Sequence, residues 1–298
     1  MRIAIAGGTG FIGEPLARSL ARDNDVAILT RYPSRVRAGR GVMWDPPEQD
    51  VWADVVAAAD VVINLAGENI GQRWTNDRKA RLVASRLDAT NALIEAMKSA
   101  PPRKRTFISA SAVGYYGSRG DETLDEASTR GSGFLADLVA RWEGAAQQAE
   151  DVARLVIIRF GVVLDAHGGA LAKMLPPFRF GLGGPIGNGR QWMSWIDRDD
   201  VVRVIEWAVP NGDVRGVYNA VAPEPVRNRD FTRALGRALR RPAIIPVPAF
   251  ALRLMFGEMA TGTVLPSQRV LPARLLAESF TFQYPTVDEA LVHSLTRS

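Results

Sequence analysis

Residues 2–20, RIAIAGGTGFIGEPLARSL, set a short apolar run directly against Gly7, Gly8, Gly10 and Gly13, and a helical repeat of apolar residues starts at once. A strand that turns straight into a helix aims free N–H groups and the positive end of the helix dipole at whatever lies beyond the strand tip. Glycines there permit a tight turn, let a pyrophosphate approach the backbone and let the helix pack closely on the strand. The residues satisfy both Gly8-x-Gly10-x-x-Gly13 and Gly7-x-x-Gly10-x-x-Gly13. Such a pattern is weak in isolation, but its place after a strand and at the head of a helix is the context it requires. The stretch predicts a bound dinucleotide; the alternative is a glycine turn kept for packing.

The next strand-like run, DVAILT, ends in Thr30 and Arg31, with Arg35 one turn on. A dinucleotide site of the NAD type usually offers a carboxylate here for the ribose hydroxyls. A guanidinium instead matches a 2′-phosphate with paired charge-assisted hydrogen bonds. NADP(H) is therefore the expected cofactor; the alternative is a pair of solvated surface arginines.

Further strand-like segments follow at 60–67 (DVVINLAG), 106–111 (TFISAS) and 154–164 (RLVIIRFGVVL), with a last one at RGVYNAV. Helical patterns at 11–22, 75–99, 133–151 and 231–239 separate or follow them. Strands alternating with helices call for an α/β fold, a Rossmann-type doubly wound parallel sheet covered on both faces. After Leu164 the texture turns glycine-, proline- and aromatic-rich. The expected division is an NADP(H)-binding domain over 1–225, a contribution of 165–198 to a substrate lobe, and a small C-terminal domain over 226–298.

Composition removes several alternatives. The absence of cysteine excludes disulfides and thiolate chemistry. With only His167 and His293, no metal centre is expected, and His167 reads as a loop residue. Lys and Arg number 37 against 32 Asp and Glu, spread along the chain, so no nucleic-acid partner is expected. No apolar run approaches the ~20 residues that cross a bilayer, and the first is too short for a signal peptide. The expectation is a cytoplasmic protein with no membrane partner and a small-molecule substrate; the oligomeric state is left open.

Several motifs beyond the glycines carry a family resemblance: NLAG at 64–67, SASAVGYYG at 109–117, RFGVVL at 159–164 and WIDRDDVV at 195–202. They resemble the extended short-chain dehydrogenases/reductases. GENIGQRW ending at Trp74, Ser85, Arg86 and Thr90, GFLADLVARWE at 133–143, GGPIGNGRQWMSWI and the tail VLPARLLAESFTFQYPTVDEAL resemble an atypical, sugar-nucleotide epimerase-like branch of unassigned reaction. The resemblance implies about seven parallel strands and a small C-terminal substrate lobe. It implies that Gly7, Thr9, Gly10, Phe11, Ile12 and Gly13 hold the pyrophosphate and Arg31, with Arg35 near it, the 2′-phosphate. Asp45 would lie near the adenine, Leu65, Ala66 and Gly67 beneath the adenine ribose, and Ser109 near the nicotinamide. Arg159 and Gly161 would edge the nicotinamide side.

Active members of that superfamily keep Tyr and Lys four residues apart on the helix after the fifth strand, where one helical face carries both. Phe134 and Leu138 stand at those positions here, and neither can move a proton. Arg86 replaces the usual asparagine of the preceding helix. Ser111, Tyr115 and Tyr116 are the nearest substitute donors by sequence, although Tyr116 corresponds to a tyrosine that is often structural. Glu68 is either a cleft carboxylate or a partner for Arg86, the latter being favoured. Arg190, Gln191, Trp192, Met193 and Trp195 offer cation, amide and aromatic surface over a substrate cleft, suited to an anionic or ring-bearing ligand; packing between lobes is the alternative for both tryptophans. Two functions remain: an NADP(H)-dependent oxidoreductase or epimerase-like enzyme using a non-standard acid, and a cofactor-retaining sensor or interaction protein with little catalysis.

Overall fold

The computed structural model describes residues 1–46 and 51–296. Strand β1 (Arg2–Ala6) leads through the glycine turn into α1 (Gly13–Leu20), followed by β2 (Asp25–Thr30), β3 (Arg40–Met43), α2 (Val51–Ala58) and β4 (Val61–Asn64). Next come the long α3 (Asn76–Lys98), β5 (Thr106–Ala112), a short β6 (Thr123–Leu124), α4 (Phe134–Gln147) and β7 (Arg154–Phe160). Then follow β8 (Val162–Asp165), α5 (Gly169–Arg179), β9 (Trp192–Met193), β10 (Trp195–Asp197), α6 (Arg198–Ala208) and β11 (Gly216–Ala220). The chain ends with β12 (Val226–Arg227), α7 (Asn228–Leu239), α8 (Ala249–Phe256), β13 (Arg269–Val270), α9 (Ala273–Ala277) and α10 (Val287–Thr296).

Alternation sends Ile3 and Ile5 of β1 to one side and Ala4 and Ala6 to the other, and both sides are buried. The isoleucines meet α1 and α6 in one core layer, while the alanines meet α2 and α3 in a second. A seven-stranded parallel sheet in the order β11-β7-β5-β4-β1-β2-β3 separates the two layers. The chain moves outward from β1 to β3, then restarts on the other side of β1 at β4. This reversal opens a crevice at the carboxyl ends of β1 and β4, where ligands of such sheets bind. The architecture is the Rossmann-type doubly wound fold expected from the sequence.

One expectation needs correction, and one strand of the expected seven carries no pattern of its own in the sequence. The segment 154–164 is not one strand: it breaks at Gly161, where a Cβ would stand 2.7 Å from the Ser194 carbonyl oxygen, and β8 leaves the sheet to pair with β10. The seventh sheet strand is β3, a four-residue edge strand with Val42 as its single buried side chain, too short to show a pattern. Helix α3, by contrast, begins where expected, with the Thr75 hydroxyl accepting from the Arg78 N–H.

A third apolar cluster joins α5, α7 and α10 through Leu171, Phe231, Leu235 and Leu291. Three acids at the head of α6 fasten the C-terminal segment to it. Asp197 caps the helix by accepting from the Asp199 N–H at 2.7 Å and lies 3.5 Å from the Ser294 hydroxyl. Asp199 meets the His293 ring at 3.1 Å, and Asp200 accepts from the N–H groups of Gln283 and Tyr284.

The sheet's carboxyl end is crossed by a buried ionic network. Arg159 of β7 donates two hydrogen bonds of 2.7 Å to Glu143 of α4, and its third nitrogen donates to the Tyr116 hydroxyl at 2.8 Å. That hydroxyl donates to Asn219 of β11, whose amide donates to the Leu271 carbonyl. Ser111 of β5 donates to Glu143. Burial alone would pull the arginine's pKa down; the bonds and charge of Glu143 reverse the sign, so the cation persists.

Removing one partner of a buried pair strands the other charge, so Glu143→Ala should lower unfolding free energy by about 3–5 kcal/mol. The double change Glu143→Leu with Arg159→Met should recover much of that loss, and urea denaturation reads both. Asp197 supplies a pH test, because burial, aided by Asp199, Asp200 and Asp165, pushes it from 3.8 up to about 7. Between those values the unfolded chain has lost this proton and the folded one keeps it, so stability contributed here falls as pH rises from about 4 to about 7. Asp197→Asn removes that dependence: its melting temperature should gain on the wild type across the window and run parallel above it.

Candidate functional site

The crevice between β1 and β4 is built around missing side chains. Gly7 adopts a positive φ of 79°, and a Cβ there would lie 2.8 Å from the Leu65 carbonyl. A Cβ on Gly13 would stand 2.2 Å from the Gly7 oxygen, so α1 starts against the strand tip only because that position is bare. Gly10 differs: its Cβ would meet the Gly7 oxygen alone, at 3.1 Å, and Thr9 and Gly10 face outward. An open cradle of N–H groups at the start of α1, with Ile12 as the residue before it, fits a pyrophosphate. Phe11 points away toward the lobe, lying against Gly168 and Gly169 with the Arg198 guanidinium 5.4 Å from its ring centroid.

Beside the turn, a cavity of about 280 Å³ is lined by Gly8, Thr9, Glu14, Thr30, Tyr32, Arg35 and Arg37, among others. Arg35 lies over the Tyr32 ring at 4.6 Å, Arg37 reaches Glu14 at 3.5 Å, and Arg31 is exposed nearby in the chain. Glu14 is itself held by Arg18. The end of β2 therefore carries no carboxylate of its own. Tyr32 and Arg37 were not singled out from sequence, although the spacing Arg31, Arg35, Arg37 was there to be read. Asp45 is exposed after β3, and residues 47–50 beyond it lie outside the described residues.

On the other side of the crevice, Leu65 and Ala66 continue from β4, Leu65 N–H donating to Ala6 and Ala66 N–H to the Asn64 side chain. Gly67 rests on Arg86, whose guanidinium carbon would be 3.1 Å from a Cβ there. Burial pulls Arg86 down to about 10, and its side chain donates to the carbonyls of Leu82 and Glu68. The favoured pairing of Arg86 with the Glu68 carboxylate is not the one formed. That carboxylate meets Arg78 at 2.8 Å and Arg81 at 3.6 Å, because α3 presents those arginines one and two turns earlier.

The β5 end corrects other expectations. Ser109 and Ser111 share the face of β5 that turns toward α3 and α4, and both are buried. Ser111 is committed to Glu143. Tyr116 is fully buried in the ionic network, which gives its proton to Asn219, and burial pushes its pKa up to about 12. Arg159 is buried in the same network rather than edging an open cleft. Tyr115 keeps a partly exposed ring stacked on Arg159 at 3.6 Å, and among the described residues its hydroxyl makes no hydrogen bond. Phe134 packs edge-on against Trp74 at 5.0 Å, and Leu138 is buried with Trp74, Leu82 and Met259. Neither position offers a proton.

Across the cleft, Trp195 is fully buried, its indole donating to the Glu224 carbonyl, so it packs rather than lines. Its neighbour Trp192 is half-buried, with Arg227 at 4.5 Å and Arg269 at 4.8 Å from its ring centroid and its N–H on Asp121. The Nε of Arg269 is buried without a partner among the described residues. Arg190 is exposed and lends its carbonyl to Arg227. Sequence reasoning passed over Arg227 and Arg269: Arg227 meets Trp192 through the pairing of β12 with β9, and Arg269 through the Gln268 N–H, which donates to the Trp192 carbonyl. His167 is an exposed loop residue beside Asp165.

A model of the NAD dependent epimerase/dehydratase family matches residues 3–220, and a domain of unknown function, DUF1731, matches 247–294. The epimerase family protein ML0860 of Mycobacterium leprae is 41% identical over 297 residues, 99% of this chain and 96% of that protein. The human epimerase family protein SDR39U1 is 38% identical over 296 residues, covering 98% of each. A crystal structure of human SDR39U1 (isoform 2) with NADPH superposes with a TM-score of 0.90 at 35% identity over all of both chains. A UDP-glucuronic acid 4-epimerase from Bacillus cereus, with UDP-glucuronic acid and NAD, shares the fold at a TM-score of 0.77 and 18% identity, over 100% of this chain and 99% of that one. The glycine cradle, the doubly wound sheet and these matches agree: the chain belongs to the NAD dependent epimerase/dehydratase family.

Proposed function

We propose that the protein is an NADP(H)-binding, epimerase-like or reductase-like enzyme of the extended short-chain dehydrogenase/reductase superfamily that works without the Tyr-x-x-x-Lys pair. The observation that carries this reading is the cavity beside the glycine turn, where Arg35 and Arg37 stand and no carboxylate follows β2. In this reading Gly7, Thr9, Gly10, Ile12 and Gly13 hold the pyrophosphate, with Phe11 bracing the turn. Arg31 and Arg35, joined by Arg37, hold the 2′-phosphate; Leu65, Ala66 and Gly67 lie under the adenine ribose, and Asp45 lies near the adenine. Ser109 and Gly161 border the nicotinamide end, and the enzyme acts in the cytoplasm. The human relative crystallised with NADPH supports the same cofactor here.

The bound cofactor supplies or accepts a hydride. The chain's own part is to orient it and to move a proton at the substrate oxygen. Of the three donors read from sequence, Tyr115 alone keeps its hydroxyl unengaged, with the Arg159 cation against its ring. Trp192 and Arg269, beside an Arg227 that is paired with Asp121 at 3.1 Å, gather ring and positive charge, which suits a small anionic or ring-bearing substrate held by the lobe of 165–198 and 226–298. Glu68, Arg86 and Arg190 complete the cleft. The apolar cluster of Trp74, Phe134, Leu138 and Met259 favours a second reading, a cofactor-binding sensor or interaction protein with little catalysis.

Calorimetry should find NADPH bound at least about tenfold more tightly than NADH, since a charge-assisted bond contributes ~1.5–3 kcal/mol. Arg31→Ala and Arg35→Ala should narrow the difference, and equal affinities in the wild type would sink the cofactor reading. NADPH oxidation against aldehydes, ketones and nucleotide sugars separates the two functions. Where turnover is found, Tyr115→Phe should lower kcat by about 10²–10⁴-fold, the usual contribution of a general acid. Unchanged turnover in that variant removes Tyr115, and silence over the panel with tight NADPH binding selects the sensor.

A further inference from the structure

Two segments of the C-terminal lobe share an unusual composition. Residues 173–190 and 240–257 together carry Lys173, Arg179, Arg190, Arg240, Arg241 and Arg253, and neither contains an aspartate or glutamate. The fold joins them: the N–H groups of Ile245, Val247 and Gly187 bond the carbonyls of Gly183, Pro185 and Val247. The joined face is apolar as well as basic. Phe180 is 81% exposed, Ile244 78%, Leu254 76% and Phe250 72%, with Leu182 more than half exposed between them in the sequence. Helix α8 buries none of its eight residues. Among the described residues, the side chains of Arg179, Arg240, Arg241 and Arg253 have neither an ion pair nor a hydrogen bond.

We propose that this face docks reversibly on an anionic lipid surface. Exposed phenylalanine and leucine side chains enter the acyl boundary, while arginines at their bases reach lipid phosphates along their own apolar stems. Each such cation near an anionic surface contributes on its own account, the two segments bring no carboxylate of their own, and the nearby Glu258 and Asp230 are held by Lys79 and by Arg229 and Arg233. A second copy of the chain is disfavoured as occupant, because an isologous contact would set one arginine rim against the other. No helix among the described residues is long and apolar enough to cross a membrane, and surface docking requires none. Surface docking departs from the expectation of no membrane partner, because a span is not what such docking needs. Arg73 of the loop after β4 donates to the Leu254 carbonyl, so that loop lies against the end of α8.

Flotation of the full chain with vesicles of phosphatidylcholine, with and without phosphatidylglycerol, tests this. The protein should float with the anionic vesicles only, and raised salt should release it as screening shortens the reach of the arginines. Arg240→Glu with Arg241→Glu, and separately Phe250→Ser with Leu254→Ser, should each weaken partitioning at least about tenfold. Unchanged melting temperatures will establish that both variants fold, and the salt response of the wild type stands independently of them. Failure to float with anionic vesicles overturns the proposal. So does salt-insensitive flotation with both vesicle types that the two variants leave unchanged. Wild-type self-association, or retention on polyglutamate, without flotation reassigns the face to a second copy or to an acidic protein and equally overturns it.

Discussion

Helix α1 can lie against the tip of β1 only because position 13 has no side chain. The 2.2 Å that would separate a Cβ from the Gly7 oxygen leaves no room for relaxation, since both groups are backbone-bound. From that contact follows the direction of α1, hence the aim of its N-terminal N–H groups, hence the crevice they share with Leu65 and Ala66. The neighbouring glycine at position 10 is held by a weaker constraint. Its freedom is toward solvent, which is where a phosphate must come from.

The buried pair of Glu143 and Arg159 performs a different task at the same end of the sheet. It binds β5, α4 and β7 to one another and, through Tyr116 and Asn219, reaches β11 and the Leu271 carbonyl. A polar framework at this place consumes the hydroxyl groups of Ser111 and Tyr116 that the sequence offers for proton transfer. The apolar packing of Phe134 and Leu138 against Trp74 then leaves the cleft wall short of donors. The ionic network thus supplies rigidity and withdraws two donors at once, and the apolar cluster accounts for the rest of the shortage.

Much of the fold was legible because its signals are local. Apolar runs bounded by turns marked β1, β2, β4 and β5, and Thr75 marked the start of α3 to the residue. Edge strand β3 was not legible from pattern, because one buried valine makes no periodicity. The break at Gly161 was hidden for another reason: the approach of Ser194 that forbids a side chain comes from over thirty residues away. The site divides the same way. The glycine turn and the arginines after β2 are contiguous in sequence and could be read, whereas the burial of Trp195, the pairing of Glu68 with Arg78 and the stacking of Arg269 on Trp192 depend on long-range placement.

The way the chain's last part is woven in bears on its synthesis. Leu275, Phe280 and Phe282 belong to the same core layer as β1, Gln268 and Val270 satisfy the Ser194 hydroxyl, and Asp200 receives its N–H partners from Gln283 and Tyr284. A nascent chain emerging from the ribosome therefore has the whole nucleotide-binding sheet outside the exit tunnel while one core layer still lacks its closing residues. Domains generally fold as units during translation, N-terminal part first. Here the sheet waits for residues 275–282, and until these emerge it presents unfinished apolar surface of the kind that chaperones bind.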